Sequence, residues 1–325
     1  MHLKLFFTQT EYEHQVWGSY GGDWAVNMRD QMLQYGNSPY EMTDNPEEAD
    51  IIVFWESHQG SQVIRIPRLR AHPLVHQFPN KVFVVSVEDS PLGLLSGLYT
   101  SLPARRHHPH RHRTTLYYRT PNPYLRSLRA GRQVASPPYL ASFIGAKSHD
   151  LRRCMFEMAD LFAWHRIVLR DTPYNHFHMT DQPERKPSHL AFIDAMLDAK
   201  FSLCPRGNGL GSYRLQESLA LGRAPVIISD DWVRCADVDW ERFAIFVPEK
   251  SLPDLPAILY ACEPYWKEMG EIARQTYESH FSHDVFAFRA VEQIAAIYNA
   301  RTHDERHFFS QWDEVLAEAE TCVDR

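Results

Sequence analysis

The sequence predicts an α/β protein whose two domains are each built on a parallel sheet, and three observations lead to that fold class. The chain has 325 residues, whereas a domain usually has about 100–200, so two domains are expected. Short apolar runs without alternation, at residues 51–55 and 82–87, are typical of strands buried on both faces. Segments of helical character lie between such runs, which is the order of a parallel sheet with crossover helices.

The elements of the first half follow in that order. Residues 2–7 are predicted to form the first strand, residues 23–34 a helix, and the two apolar runs the next strands. Residues 103–123 then interrupt the pattern with prolines, arginines and clustered histidines, and we expect a loop or irregular segment there. The first domain is expected to comprise residues 1–135.

The second domain, residues 136–325, continues the alternation of strands and helices and closes with several helices. Gly222 is expected just past a helix end, as its C′ residue. The predicted strands are 140–145, 167–169, 200–204, 224–228 and 243–247, and the predicted helices are 151–162, 189–197, 212–221, 255–261, 265–277 and 285–300.

Composition and charge narrow the classes of function. The formal charge of −7 and the pI of about 6.2 are the opposite of what a non-specific nucleic-acid binder carries. The five cysteines form no CxxC pair, which favours reduced thiols in a cytosolic compartment. The N-terminus lacks the pattern of a signal peptide, and no window approaches the roughly 18 apolar residues of a membrane span. We expect a cytoplasmic protein, with peripheral membrane contact left open.

Residues 200–232 carry the clearest chemical pattern in the chain. A predicted buried strand is followed by a glycine-rich turn at 206–211, and Ser212 stands where a helix N-cap is wanted. A glycine loop that opens a helix presents free backbone N–H groups and the positive end of the helix dipole, an arrangement that binds phosphates. The turn differs from the dinucleotide fingerprint and from the Walker A loop.

Charged side chains flank this turn. Arg206 and Arg214 offer guanidinium groups suited to phosphate oxygens. Glu217, one helical turn further on, comes within reach of a hydroxyl-rich group such as a ribose. The alternative is a tight strand-to-helix turn with solvated arginines. We prefer the anion site because the glycine loop, the N-cap and the arginines coincide.

The same window resembles the C-terminal signature of exostosin-like glycosyltransferases. In that signature a strand ends in CP, a loop of small residues follows, and S-x-R-x-x-E opens a helix before PVIISD. Weaker echoes precede the window at residues 46–50 and 143–153. The signature stands here as Cys204-Pro205-Arg206-Gly207, Ser212-Tyr213-Arg214, Glu217, Leu221-Gly222 and Pro225 to Asp230, with a similar segment at 240–249.

This resemblance implies a GT-B fold, in which two Rossmann-like domains with parallel sheets face a central cleft. It implies transfer of a sugar from a nucleotide-sugar donor, usually a UDP-sugar, to a glycan or other hydroxyl acceptor with inversion. No metal or other cofactor is expected to be required. The donor-binding residues that the resemblance carries over are Arg206, Gly207, Ser212, Tyr213 and Arg214, with Glu217 for the ribose and Arg152 or Arg153 as a second cation beside the diphosphate.

An inverting transfer also needs a base beside the acceptor hydroxyl. The base is expected at the carboxyl end of a strand in the N-terminal half. Glu88 and Asp89 are the first candidates, and they stand where the family usually has histidine and aspartate. Glu56 with His58, and Asp23, are further candidates. For each, a helix N-cap or a solvated loop acid is the alternative.

A cluster of histidines at His107, His108, His110 and His112 invites a metal site. Zinc ligands usually come from separated elements, whereas these side chains share one arginine-rich stretch. A loop or a lid that contacts the acceptor is therefore favoured. His176 and His178 are likewise expected in a loop.

Two other classes of function stay open. A fucosyltransferase-like enzyme that uses a GDP-sugar shares the strand–helix layout, but such enzymes tend to carry a lysine near the helix start, where this chain has Arg214. A non-catalytic carbohydrate- or nucleotide-binding module would have lost the base. By analogy with the family, polysaccharide biosynthesis is the expected role.

Overall fold

A computed structural model describes residues 2–9, 24–36, 38–56, 69, 71–89, 91–117, 124–125, 134–172 and 186–314. The chain divides into two compact units. Unit 1 comprises Met1–Thr115 and His283–Arg325, and unit 2 comprises Leu116–Ser282.

The strands are numbered in chain order, and each unit holds one sheet of them. Unit 1 contains β1 (Leu3–Gln9), β2 (Tyr40–Met42), β3 (Ile51–Glu56), β4 (Val82–Ser86), β5 (Gly97–Tyr99) and β6 (His112–Thr114). Unit 2 contains β7 (Tyr139–Gly145), β8 (Ile167–Asp171), β9 (Ala199–Pro205), β10 (Ala224–Ile228) and β11 (Ile245–Phe246).

The helices connect and cover these strands. No helix in the described part of the chain is long and apolar enough to cross a membrane. A short π-helix, Tyr277–Phe281, follows α8. The α-helices are α1 (Trp24–Gln34), α2 (Pro73–Gln77), α3 (Asp150–Glu157), α4 (Ala159–Trp164), α5 (Lys186–Leu197), α6 (Tyr213–Ala220), α7 (Leu255–Cys262), α8 (Trp266–Thr276), α9 (Phe286–Ala300) and α10 (Arg306–Phe309).

The sheet of unit 1 has the order β2-β1-β3-β4-β5-β6, and neighbouring strands pair in parallel. Its centre is formed by the apolar runs β3 and β4, which are buried because helices and loops cover both faces. Ile52, Phe54, Val82 and Val84 pack in one cluster with Trp312 from the C-terminal segment.

The sheet of unit 2 has the order β11-β10-β9-β7-β8 and is also parallel. Phe143, Phe201, Val226 and Ile228 lie in its core. The two parallel sheets confirm the predicted α/β class with two domains.

Gly222, which follows α6, packs tightly against Gly270 of α8 in unit 2. Gly222 follows α6 with a φ of +65°, a left-handed conformation that glycine adopts without strain at a helix end, as the sequence predicts. A Cβ built on Gly270 of α8 would lie 2.5 Å from the Gly222 carbonyl oxygen. The close approach of α8 therefore depends on the glycine at position 270.

The division into units differs from the boundary that the sequence predicts. The change of unit falls between Thr115 and Leu116, and His283–Arg325 folds with unit 1, whereas residues 136–325 were expected to form one domain. Helix α9 packs on α1 and β5, and the Tyr35 and Phe288 rings stack at 4.1 Å. Helical periodicity shows that α9 has an apolar face, but it does not show which sheet that face covers.

The histidine-rich segment is more ordered than an irregular lid. A 3₁₀ turn at Ala104–Arg106 leads to β6, which completes the sheet of unit 1. His112 is fully buried, and its Nδ1 accepts the backbone N–H of His108 at 3.1 Å. Burial, followed by the charge of Arg111, holds the pKa of His112 well below its usual value. The sequence predicted a loop here, and that prediction is wrong for residues 112–114, which form β6. These three residues are polar and show no apolar run, so the strand leaves no pattern in the sequence.

Candidate functional site

The glycine-rich turn links β9 to α6 in unit 2, as the sequence predicts. Ser212 occupies the N-cap position with extended backbone angles, but its side chain makes no capping hydrogen bond. The hydroxyl therefore does not satisfy the amide donors in the first turn of α6, where the helix dipole is also positive. The Tyr213 ring stacks on Tyr117 at 3.8 Å. This helix start can attract an anion.

Arg214 is the most unusual side chain at this loop. It is only 6 % exposed, and its guanidinium lies 4.7 Å from the Phe143 ring centre and 4.4 Å from that of Phe192. Its Nε and Nη1 are buried, and neither has a hydrogen-bond partner in the described part of the chain. Aromatic faces attract a cation but accept no strong hydrogen bonds from it. A buried charge with unpaired donors is costly, so an incoming anion would gain strongly from Arg214.

Glu217 lies one turn further along α6 and is 2 % exposed. Burial raises its pKa to about 8, although the charge of Arg214 opposes the rise. At pH 7 the carboxyl group is therefore mostly protonated, whereas Arg214 stays charged. The pair keeps a positive charge, and the neutral carboxyl group can both donate and accept a hydrogen bond.

Arg206 begins the glycine-rich turn and faces an acidic neighbour. Its Nη1 lies 4.0 Å from Oε1 of Glu249, and its buried Nε has no partner among the described residues. Glu249 is fixed elsewhere: its Oε1 accepts the backbone N–H of Asp230 at 3.2 Å, and Oδ1 of Asp230 accepts the Glu249 N–H at 2.9 Å. Because the contact between Arg206 and Glu249 is long, the Arg206 guanidinium is still able to bind an anion that approaches more closely.

Arg152 links the loop that follows β7 to the glycine-rich turn that follows β9. Its Nε donates to the Arg206 carbonyl at 2.9 Å, its Nη2 to the Pro205 carbonyl at 3.1 Å, and its Nη1 to Oγ of Ser148 at 3.1 Å. A Cβ on Gly207 would lie 3.0 Å from Nη2 of Arg152. The missing side chain at position 207 thus gives this guanidinium room beside the turn.

Arg153 is directed differently. Its side chain is about half exposed and pairs with the Asp150 carboxylate, while Nη1 donates to the Lys147 carbonyl at 3.2 Å. Arg152 and Arg153 were predicted as alternative second cations. Only Arg152 contacts the turn through contacts that the structure describes, and it does so by ordering the backbone.

Unit 1 carries the first-ranked base candidates. Glu88 and Asp89 follow β4 at its carboxyl end, and Glu88 is 6 % exposed. Glu88 lines a cavity of about 40 Å³ whose other walls are mostly apolar, including Leu94 and Tyr99. A cavity of this size admits a water molecule or a small group. Asp23, His58, His176, His178 and the side chain of Glu56 lie outside the described residues.

Several residues around the turn were not assigned roles from the sequence. Phe143 and Phe192 are 49 positions apart in the chain, so only folding shows that they enclose one guanidinium. Asp230 and Glu249 lie within the segments that resemble the exostosin-like signature. This resemblance was the sequence signal from which their place near the turn could have been inferred. Within the described residues no group of three or more His, Cys, Asp or Glu side chains is placed to hold a metal ion.

Comparison with known proteins agrees with the pattern in unit 2. Residues 104–262 match the family model described as "Exostosin GT47 domain". "Exostosin-1 homolog" from Caenorhabditis elegans is 36% identical over 92 residues, which cover 27% of this chain and 24% of the relative. "Probable beta-1,4-xylosyltransferase IRX10" from Arabidopsis thaliana is 44% identical over 82 residues, which cover 25% of this chain and 18% of the relative. The chain thus spans about a quarter or less of the length of these relatives.

Two solved structures are similar at low identity. TarM shares 8% identity with a TM-score of 0.42, covering 85% of this chain and 58% of that one. WaaG, described as a glycosyltransferase involved in lipopolysaccharide biosynthesis, shares 10% identity with a TM-score of 0.33, covering 93% and 99%. The matched range contains the motif at the start of α6, so residues 104–262 are similar to the exostosin GT47 domain.

Proposed function

We propose that the protein is a glycosyltransferase that moves a sugar from a nucleotide-diphosphate sugar, with a UDP-sugar as the first candidate, to a hydroxyl group of a glycan or other acceptor, with inversion. The observation that carries the proposal is the buried Arg214, whose unpaired guanidinium nitrogens stand at the start of α6 beside a glycine-rich turn. The match to the exostosin GT47 domain supports it. A cytoplasmic location and a role in polysaccharide synthesis stay predictions.

In this proposal the diphosphate lies at the start of α6. Arg206 and Arg214 offset the charge that develops on the leaving diphosphate, because donors fixed in place before the reaction stabilise such charge strongly. Ser212 and the amide groups of the first turn add further donors. The protonated Glu217 exchanges hydrogen bonds with the ribose hydroxyls. Arg152 keeps the turn in the required shape.

The first test is a thermal-shift screen of the wild-type protein with UDP, GDP, CDP and ADP and their common sugar conjugates. A ligand that binds only the folded state raises the melting temperature. We expect a clear shift with one class of nucleoside diphosphate, and a shift with GDP alone would favour the fucosyltransferase-like alternative. The donor proposal fails if none of these ligands produces a shift.

Arg214→Ala is expected to weaken binding of the nucleoside diphosphate found in that screen by roughly thirtyfold or more, because a buried charged partner of the phosphates is lost. Binding of the parent nucleoside should change less than about threefold. Calorimetric titration of both ligands measures the two effects. Arg274→Ala is the control and should change neither affinity. Arg274 lies on α8 and pairs with Glu278 of the π-helix that follows. Equal losses for nucleotide and nucleoside would rule out a phosphate role for Arg214.

We propose Glu88 as the base that takes the proton of the acceptor hydroxyl. Glu88→Gln keeps the shape of the side chain but cannot accept the proton, so release of nucleoside diphosphate from the donor should slow by about a hundredfold or more. Binding of the nucleotide should not change. Asp89→Asn is the matched comparison, and a larger loss there would transfer the role to Asp89.

A further inference from the structure

His149 caps helix α3 in a way that sets the protonation of its ring. Its Nδ1 accepts the backbone N–H of Leu151 at 3.2 Å. A ring nitrogen that accepts a hydrogen bond carries no proton, so the neutral imidazole holds its proton on Nε2. No hydrogen bond joins this Nε2 to another described residue. The atom is also not one of the fully buried polar atoms that lack a hydrogen-bond partner in the described part of the chain. It is a fixed donor with no protein acceptor in the described part of the chain.

The loop that holds His149 rests on the glycine-rich turn. Arg152 donates to the side chain of Ser148 at 3.1 Å and to the backbone carbonyl of Arg206 at 2.9 Å, and so it bridges the two loops. A Cβ on Gly207 would lie 3.2 Å from Oγ of Ser148. Both loops follow strands at the carboxyl edge of the sheet of unit 2, since β7 ends at Gly145 and β9 at Pro205.

The charges around His149 keep the free imidazole neutral. Burial lowers its pKa first and the charge of Arg206 second, with a further contribution from Arg152, while Glu249 and Asp150 oppose the shift. An anion on Arg206 would offset the guanidinium charge and add a negative charge of its own. Both changes favour the imidazolium form, although its protonated Nδ1 would give up the hydrogen bond from Leu151. Binding of an anion and uptake of a proton are therefore coupled.

We propose that His149 is a further diphosphate-binding residue, which donates its Nε2–H to the anion that Arg206 and Arg214 hold. The inference deepens the proposed function and rests on it for the identity of the natural anion. The contact between the two loops and the orientation of the imidazole carry it.

His149→Asn separates this role from helix capping. Asparagine is among the best N-cap residues, so α3 and the loop should keep their structure, whereas the short amide does not reach as far as Nε2. Binding of inorganic pyrophosphate at pH 7 should weaken by about tenfold, which is typical for the loss of one hydrogen bond to a charged group. Binding of uridine should not change. Calorimetric titration gives both values, and urea unfolding checks that the variant is folded.

A pH series adds a measurement that a merely structural residue would not affect. The ratio of the pyrophosphate affinities of wild type and His149→Asn should grow as the pH falls from 8 to 5.5, because the imidazolium binds an anion more strongly. Pyrophosphate affinities that are equal in the two proteins, or no pyrophosphate binding by the wild type, would overturn the inference. If pyrophosphate binds through His149 but no nucleoside diphosphate raises the melting temperature, the proposed function fails and the anion site stands.

Discussion

Glu305→Ala should lower the free energy of unfolding by about 3–5 kcal/mol, the usual cost of removing one partner from a buried ion pair. Glu305 is 0 % exposed and lies after α9 in the C-terminal segment His283–Arg325, which folds with unit 1. Its Oε2 accepts from Nη2 of Arg111 at 2.8 Å, and Arg301 lies 3.2 Å from Oε1. Without the carboxylate, two largely buried guanidinium groups lose their counter-charge.

The surroundings of Glu305 also determine the pH range of this contribution. Burial opposes its ionisation, yet hydrogen bonds from Arg111 and Ser96 and the charge of Arg301 bring its pKa below the usual value. A carboxyl group with a lowered pKa stabilises the fold above its unfolded pKa and loses that effect as the pH falls through its folded pKa. The stabilisation should therefore be complete at pH 7 and decline below about pH 4.

Urea unfolding at pH 7, together with hydrogen exchange resolved along the chain, measures the effect and locates it in unit 1. Glu314→Ala changes an exposed glutamate of the same C-terminal segment and should cost less than about 0.5 kcal/mol. A loss below about 1 kcal/mol in Glu305→Ala would contradict a stabilising role for these buried ion pairs.

Glu217→Gln should make the stability of unit 2 less dependent on pH. The folded protein keeps a proton on Glu217 up to about pH 8, whereas the unfolded chain releases it near pH 4.3. Because the folded state binds the extra proton, wild-type stability should fall as the pH rises through this range. The loss between pH 5 and pH 8 amounts to roughly 4 kcal/mol as an order of magnitude. Glutamine does not titrate, so the variant avoids this loss.

Urea unfolding of both proteins at pH 5.5, 7 and 8.5 provides the measurement. The two stabilities should be close at pH 5.5, and the variant should be the more stable at pH 8.5. Glu271→Gln, at an exposed position of α8, should follow the wild-type curve. Parallel curves for wild type and Glu217→Gln would show that Glu217 is ionised at neutral pH. In that case Arg214 would be neutralised by its neighbour, and the case for an anion at α6 would weaken.

The elements of unit 2 could largely be predicted from the chain. The strand ending at Pro205, the helix start after Ser212 and the helix end before Gly222 each follow from local sequence, namely an apolar run, a residue type common at N-caps and a left-handed glycine. Strands β2, β5 and β6 were missed because each has three residues, too few to show a pattern. These three strands are defined by their pairing with neighbouring strands in the sheet of unit 1, which only the structure shows.

The roles of the arginines were less predictable. Arg152 and Arg153 are adjacent and chemically identical, yet one bridges two loops and the other pairs with Asp150 near the surface. Successive residues on a helix point about 100° apart, so only the packing of α3 decides which guanidinium meets the turn.

By itself the sequence determined the α/β class, the glycine-rich turn and the set of side chains at the start of α6, because these depend on contacts between residues close in the chain. The tertiary structure alone decided that residues 283–325 belong to unit 1, that Phe143 and Phe192 enclose Arg214, and that Glu217 is buried enough to hold its proton. Burial and long-range pairing arise from the whole fold, since the free energy of a charge depends on what replaces the water around it.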